Sequence, residues 1–110
     1  RKSPLNLAAE HGHTGVARLL IEYGADISTS DRLGHTALNC AARAGHIDFV
    51  QFLITRGIDI SARDRSGRTA LHEAASAGHI KVVELLTARG INIFARDASG
   101  YTALHHAAFG

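Results

Sequence analysis

The sequence predicts an all-α solenoid: helix-turn-helix units stacked in single file and joined by projecting hairpin-like loops. Three observations carry this. Asp31, Asp64 and Asp97 recur at a step of 33 residues, as do Gly34, Gly67 and Gly100, and Leu38, Leu71 and Leu104. Residues 31–63 laid on 64–96 without a gap agree at 20 of 33 positions. Each unit holds two short apolar-periodic runs, each closed by a glycine, which is the signature of a helical repeat array. The 110 residues make one domain's worth of chain, dividing as a partial unit 1–30, full units 31–63 and 64–96, and a partial unit 97–110.

The third unit shows each element in order. Asp64-Arg65-Ser66-Gly67 pairs a turn-forming Asp with a Gly that tolerates positive φ, so it reads as a tight turn. Thr69 stands at a helix N-cap, where its hydroxyl can accept a free first-turn N–H. Ala70 to Ala77 is a helix of two turns ended by Gly78. Helices this short are not stable alone, so neighbours must hold it. The Ala74-Ala75 pair, repeated as Ala8-Ala9, Ala41-Ala42 and Ala107-Ala108, lets the next backbone come close. A second helix is expected from about Ile80 to Arg89, with Val82, Leu85 and Leu86 forming one apolar stripe; Val16, Leu19, Leu20 and Phe49, Phe52, Leu53 are its equivalents. After Gly90, Ile91-Asn92-Ile93 runs out as an extended arm. No such unit buries its apolar face by itself, so stability is a sum of unit and interface terms along the stack.

Composition removes several classes. At 45% hydrophobic and 20% charged, with mean hydropathy +0.00, the chain is neither disordered nor low in complexity. The most apolar run, Val16 to Ile21, is broken by Arg18 and is far short of a membrane span. The single cysteine, Cys40, cannot build a disulfide framework, which favours a reducing compartment. With no basic-then-apolar leader, an intracellular site, cytoplasmic or nuclear, is expected. The absence of Met points to an internal piece of a longer protein.

Eight histidines invite a metal or catalytic reading, but five fall on repeat positions: His13, His46 and His79 after a Gly, and His72 and His105 near the first-helix start. These are expected to bond turn and loop backbone. No His-Glu-x-x-His or paired-Cys spacing exists to hold zinc, and His105 and His106 are adjacent on a helix and so diverge. Cys40 reads as a partly buried, inert thiol with no base and orienting partner. The aspartate row, one per unit, is no acid/base pair. There is no Gly-rich phosphate cradle. No catalytic residue, metal or cofactor is expected.

Asp64, Gly67, Thr69-Ala70-Leu71-His72, Ala74-Ala75, Gly78-His79, Val82-Val83, Leu85-Leu86 and Gly90-Ile91-Asn92 together resemble the ankyrin repeat, in register over the whole chain. The resemblance implies paired antiparallel helices with loops near a right angle, and a concave face made of loop tips and the inner side of the first helices. Departures matter. The family's proline is present only as Pro4, with Ala37, Ala70 and Ala103 elsewhere. The motif histidine is Asn6 and Asn39 in the first two units, where a cross-repeat imidazole bond would be absent. The loop-tip Asn is replaced by Ser28, Ser61 and Phe94, so asparaginyl hydroxylation is not expected. Neither end looks like a polar cap: Arg1 stands where other units have Gly, and the chain stops at Gly110.

The resemblance places the binding surface at Arg32, Leu33 and His35, at Arg63, Arg65 and Arg68, at Arg96 and Tyr101, and at Arg43 and Ser76 on the first helices, with Glu10 and Phe109 beside them. Six of the ten arginines fall in this set. Arginine bonds carboxylates in bidentate fashion and is favoured in binding hot spots. The expected function is a non-catalytic protein–protein interaction module that grips an acidic segment of a partner, within a larger chain of flanking ankyrin repeats. The same arginines could instead take a phosphorylated ligand or nucleic acid, though little Lys, no aromatic ladder and a net charge of +2 disfavour nucleic acid. A spacer inside a longer array is a third reading.

Overall fold

In the computed structural model the described residues are 3–109, with side chains described through Ala107. Arg1, Gly110 and the side chain of Phe109, which the sequence assigned to the ends and the groove, lie outside that set. Among the described residues seven helices alternate with turns: α1 (Pro4–His11), α2 (Thr14–Glu22), α3 (Ala37–Ala44), α4 (Ile47–Thr55), α5 (Ala70–Ala77), α6 (Ile80–Ala88) and α7 (Ala103–Phe109). The inner helices α1, α3, α5 and α7 pack in sequence, the outer α2, α4 and α6 form a looser second row, and each of α1, α3 and α5 pairs with the outer helix that follows it. The stack is elongated, 39 × 26 × 21 Å.

Small residues explain the tighter inner row. Ala8, Ala9, Ala41, Ala42, Ala74 and Ala75 are all buried between successive units. Glycines allow the close approach, as Gly45 and Gly67 show. Gly45 ends α3 at φ 79°, and a Cβ there would stand 2.6 Å from the His79 ring. A Cβ on Gly67 (φ 76°) would stand 2.8 Å from the backbone nitrogen of Ala98 in the next turn. Neighbouring turns are nested and bonded there: Arg65 N–H donates to Leu33 O at 2.9 Å, and Ala98 N–H to Ser66 O at 2.7 Å.

Caps form as the local sequence dictates. Ser3 and Thr36 accept first-turn N–H groups through their hydroxyls. At Thr69 the motif histidine closes the cap from the other side, with Thr69 N–H donating to His72 Nδ1 at 3.1 Å. The histidines after glycine tie units together: His46 Nε2 donates to Glu10 O and His79 Nε2 to Arg43 O, both at 3.0 Å. Asn6 reaches across as well, its amide donating to His35 O at 2.9 Å, so a cross-repeat bond survives in the first unit without an imidazole.

Three details differ from the sequence reading. The loops between α2 and α3, α4 and α5, and α6 and α7 are successions of tight turns, such as the one in which Asn92 Oδ1 accepts Phe94 N–H; among the described residues no strand forms. The outer stripe is covered in α4 and α6, where Phe49, Leu53, Val82 and Leu86 are buried, but Val16 and Leu19 are half exposed because, among the described residues, no helix packs on that side of α2. Cys40, expected to be partly covered, is fully buried beneath the inner face of α3.

Candidate functional site

The side of the stack that carries the aspartate turns and the inner helices is built in two tiers. The turn aspartates set the lower one. In each, Oδ1 accepts two backbone N–H groups of its own turn: Leu33 and His35 for Asp31, Ser66 and Arg68 for Asp64, Ser99 and Tyr101 for Asp97, all at 2.8–3.0 Å. The second oxygen is thereby turned to the groove floor.

What meets it differs by unit. His35 sits between two aspartates, Nδ1 3.4 Å from Asp31 Oδ2 and Nε2 3.1 Å from Asp64 Oδ2. Its Nε2 also lies 3.6 Å from Oε2 of Glu73, which rises from α5 and is buried. Arg43 approaches Glu73 from α3 at 3.8 Å, and Arg68 at 3.7 Å. Arg68 Nε is also 3.8 Å from Asp97 Oδ2, which accepts His106 Nε2–H at 2.7 Å. The His106 ring lies edge-on to that of His72, and Tyr101 packs against both His105 and His106.

Burial alone would raise the Asp97 carboxyl, but the bonds from Tyr101 N–H, His106 and Ser99 N–H outweigh it and hold it at about 2. Burial drives His72 the other way, lowering its pKa and keeping the ring neutral. Thr69 N–H can only donate, so Nδ1 is the acceptor and Nε2 carries the hydrogen given to Tyr101 O at 3.0 Å.

The upper tier is the row of turn tips. Arg32 and Arg65 stand there, and Arg63 and Arg96 just before their turns. Arg63 is folded back onto the carbonyls of Gly67 and Arg96, and Arg96 onto that of Gly100. Among the described residues the guanidinium groups of Arg32 and Arg65 have no hydrogen-bond or ion-pair partner, and Leu33 between them is 57% exposed. Ser76 is half-buried on α5.

The structure therefore splits the set chosen from sequence. Arg43 and Arg68 serve as counter-ions of a buried carboxylate, whereas Arg32 and Arg65 are free. Sequence reasoning missed Glu73, His106 and the inward oxygens of Asp64 and Asp97, which make the floor acidic beneath a basic rim. The available signal was Glu73's repeat position, shared with Leu7, Cys40 and His106 on the inner side of each first helix.

Comparison with known families bears on the same geometry. A model of ankyrin repeats (three copies) matches residues 1–64 and 61–110. The chain belongs to the ankyrin-repeat family. Ankyrin repeats are in general protein–protein interaction modules and typically non-catalytic, so a protein partner is the expected ligand class. Among the described residues no helix of this ankyrin array is long and apolar enough to cross a membrane.

Proposed function

We propose that residues 1–110 form one ankyrin domain that binds an acidic segment of another protein along the basic rim of its concave face. The observation that carries this reading is the pair Arg32 and Arg65. They occupy the same position in successive units, on turns whose backbones are hydrogen-bonded to each other, and among the described residues no carboxylate pairs with either. Adjacent like charges repel, whereas a ligand carboxylate can take two N–H donors from each guanidinium. The turns are rigid through cross-unit bonds, so little ordering is required on binding. The uncovered apolar groups at the two ends of the stack, Leu7, Val16 and Leu19 at one and Ile80, Phe94 and Leu104 at the other, support flanking ankyrin repeats as further neighbours.

The test is fluorescence anisotropy with a labelled Glu-rich peptide. Arg32→Glu/Arg65→Glu is expected to weaken binding at least tenfold with the circular dichroism unchanged, while Arg18→Glu on α2 has no comparable effect. Equal affinity in the rim variant and the parent chain overturns the reading.

A further inference from the structure

The geometry points to a second site on the groove floor: a divalent transition-metal site of the zinc class, formed by His35 Nε2, Asp64 Oδ2 and Glu73 Oε2 at the junction of the second and third units. This departs from the absence of metal ligands expected from spacing. The three atoms lie within 4.8 Å of one another, with His35 3.1 Å from Asp64 and 3.6 Å from Glu73. Tetrahedral zinc with bonds of about 2.0–2.1 Å places its ligand atoms roughly 3.3 Å apart, so only small side-chain adjustments separate this arrangement from a coordinated one.

The surroundings are those of a built site. His35 Nδ1 faces Asp31 Oδ2 at 3.4 Å, the carboxylate–histidine support that fixes the tautomer and leaves Nε2 to the metal. Asp64 is held by two backbone N–H bonds on its other oxygen. Glu73 Oε2 is buried without a hydrogen-bond partner; its charged neighbours His35 and Arg43 stand 3.6 and 3.8 Å away, so its lone pairs are open to an ion. His35, 12% exposed at the side chain, leaves a path from the groove and a fourth position for water or a ligand group.

The nearby arginines do not close the site. Arg43 and Arg68 stand 3.7–3.8 Å from Glu73, beyond hydrogen-bond distance, and their side chains are 41% and 35% exposed. Asp31, Asp64 and Glu73 all face the His35 imidazole, which coordinates a metal in its neutral form. The other convergent group, His72, Asp97 and His106, lacks this capacity because both His72 nitrogens are committed to Thr69 and Tyr101.

Calorimetric titration of the chain with zinc chloride, and cobalt(II) absorption as a second readout, test this. One equivalent should bind, cobalt should give the visible bands of a four-coordinate ion, and the thermal midpoint should rise with zinc, because the ion joins two units and binds only the folded chain. His35→Ala and Glu73→Gln should weaken binding at least tenfold and Asp31→Asn about 10–100-fold. His11→Ala/His13→Ala, which removes the stacked pair of imidazoles at the end of α1, should leave it unchanged. Should Glu73→Gln fail to fold, a shift of the His35 ring resonances on addition of zinc to the parent chain supplies the same information. No saturable binding, or binding lost with His11 and His13 but kept in His35→Ala, overturns the proposal. The rim test above is independent of either outcome.

Discussion

Replacing Asn39 by histidine should stabilise the protein, for a reason visible in the two asparagines that stand where later units have His. A motif side chain has two jobs: accepting the N-cap N–H and donating to the next unit. The amide of Asn39 does the first, with Oδ1 accepting Thr36 N–H at 3.1 Å, and its buried Nδ2 has no partner. The amide of Asn6 does the second, reaching His35 O, and its Oδ1 is left unpaired. The imidazole of His72 carries nitrogens on opposite edges and does both, reaching Tyr101 O 29 residues on. The same step from position 39 arrives at Arg68, whose carbonyl accepts Asp64 N–H and has a second lone pair to offer. Asn39→His would therefore relieve an unpaired buried donor, about 1–3 kcal/mol, and add a bond worth about 1 kcal/mol net. Some of this is lost to fitting a larger ring, so about 1–2 kcal/mol is expected. For a domain of this size that is a rise in Tm of roughly 4–10 °C. Urea and thermal unfolding at pH 8 measure it. A protonated ring cannot accept Thr36 N–H, so the gain must shrink below about pH 6. A folded Asn39→His chain with an unchanged or lowered midpoint, or a gain independent of pH, refutes the reasoning.

Ala70→Pro should stabilise by about 0.4–1 kcal/mol, because Ala70 is the first residue of α5 and Thr69 before it (φ −94°, ψ 175°) already has the extended backbone that precedes proline; a lowered urea midpoint would show that the ring does not fit. Acid should destabilise in two stages, read as Tm against pH. His72, whose folded pKa is depressed, contributes fully above its unfolded value near 6.5 and loses that contribution as pH falls through the lower folded value. Asp97 contributes fully above 3.8 and loses it as pH falls through about 2. His72→Asn should flatten the first stage and Asp97→Asn the second; slopes identical to those of the parent chain would contradict the assignment.

The helix frame was legible because its determinants are local. Thr36 and Thr69 before a helical run, Gly45 and Gly78 after it, and alanine pairs between them act within a few residues of themselves. The floor was not legible, because its partners meet across units and out of register. His35 touches Glu73, 38 residues away, one period plus five; a self-comparison in steps of 33 sets His35 beside Arg68 and Glu73 beside Cys40 and never pairs the two. For the same reason arginine count misjudged the groove. Arg43 and Arg68 looked like ligand-binding groups until stacking brought Glu73 beneath them.

The aspartate row links these two levels. One oxygen of each Asp closes its own turn, a task an asparagine could also perform. The other oxygen needs no particular partner to keep the fold, and it meets the residue 29 positions earlier: His35 for Asp64, Arg68 for Asp97. Asparagine would present a neutral group there and a weaker acceptor, so the charge of the aspartate acts on the groove. Each unit thus supplies a fixed anion, and the residue set against it decides the local character of the floor. With His35 that residue leaves a site able to take a cation, whereas Arg68, which has no lone pair for a metal, sets a fixed positive charge against the anion. Arg68→His should then create a second convergent group with Asp97 and His106, and a second zinc equivalent in the titration would show that the aspartate, and not the particular unit, provides the binding capacity.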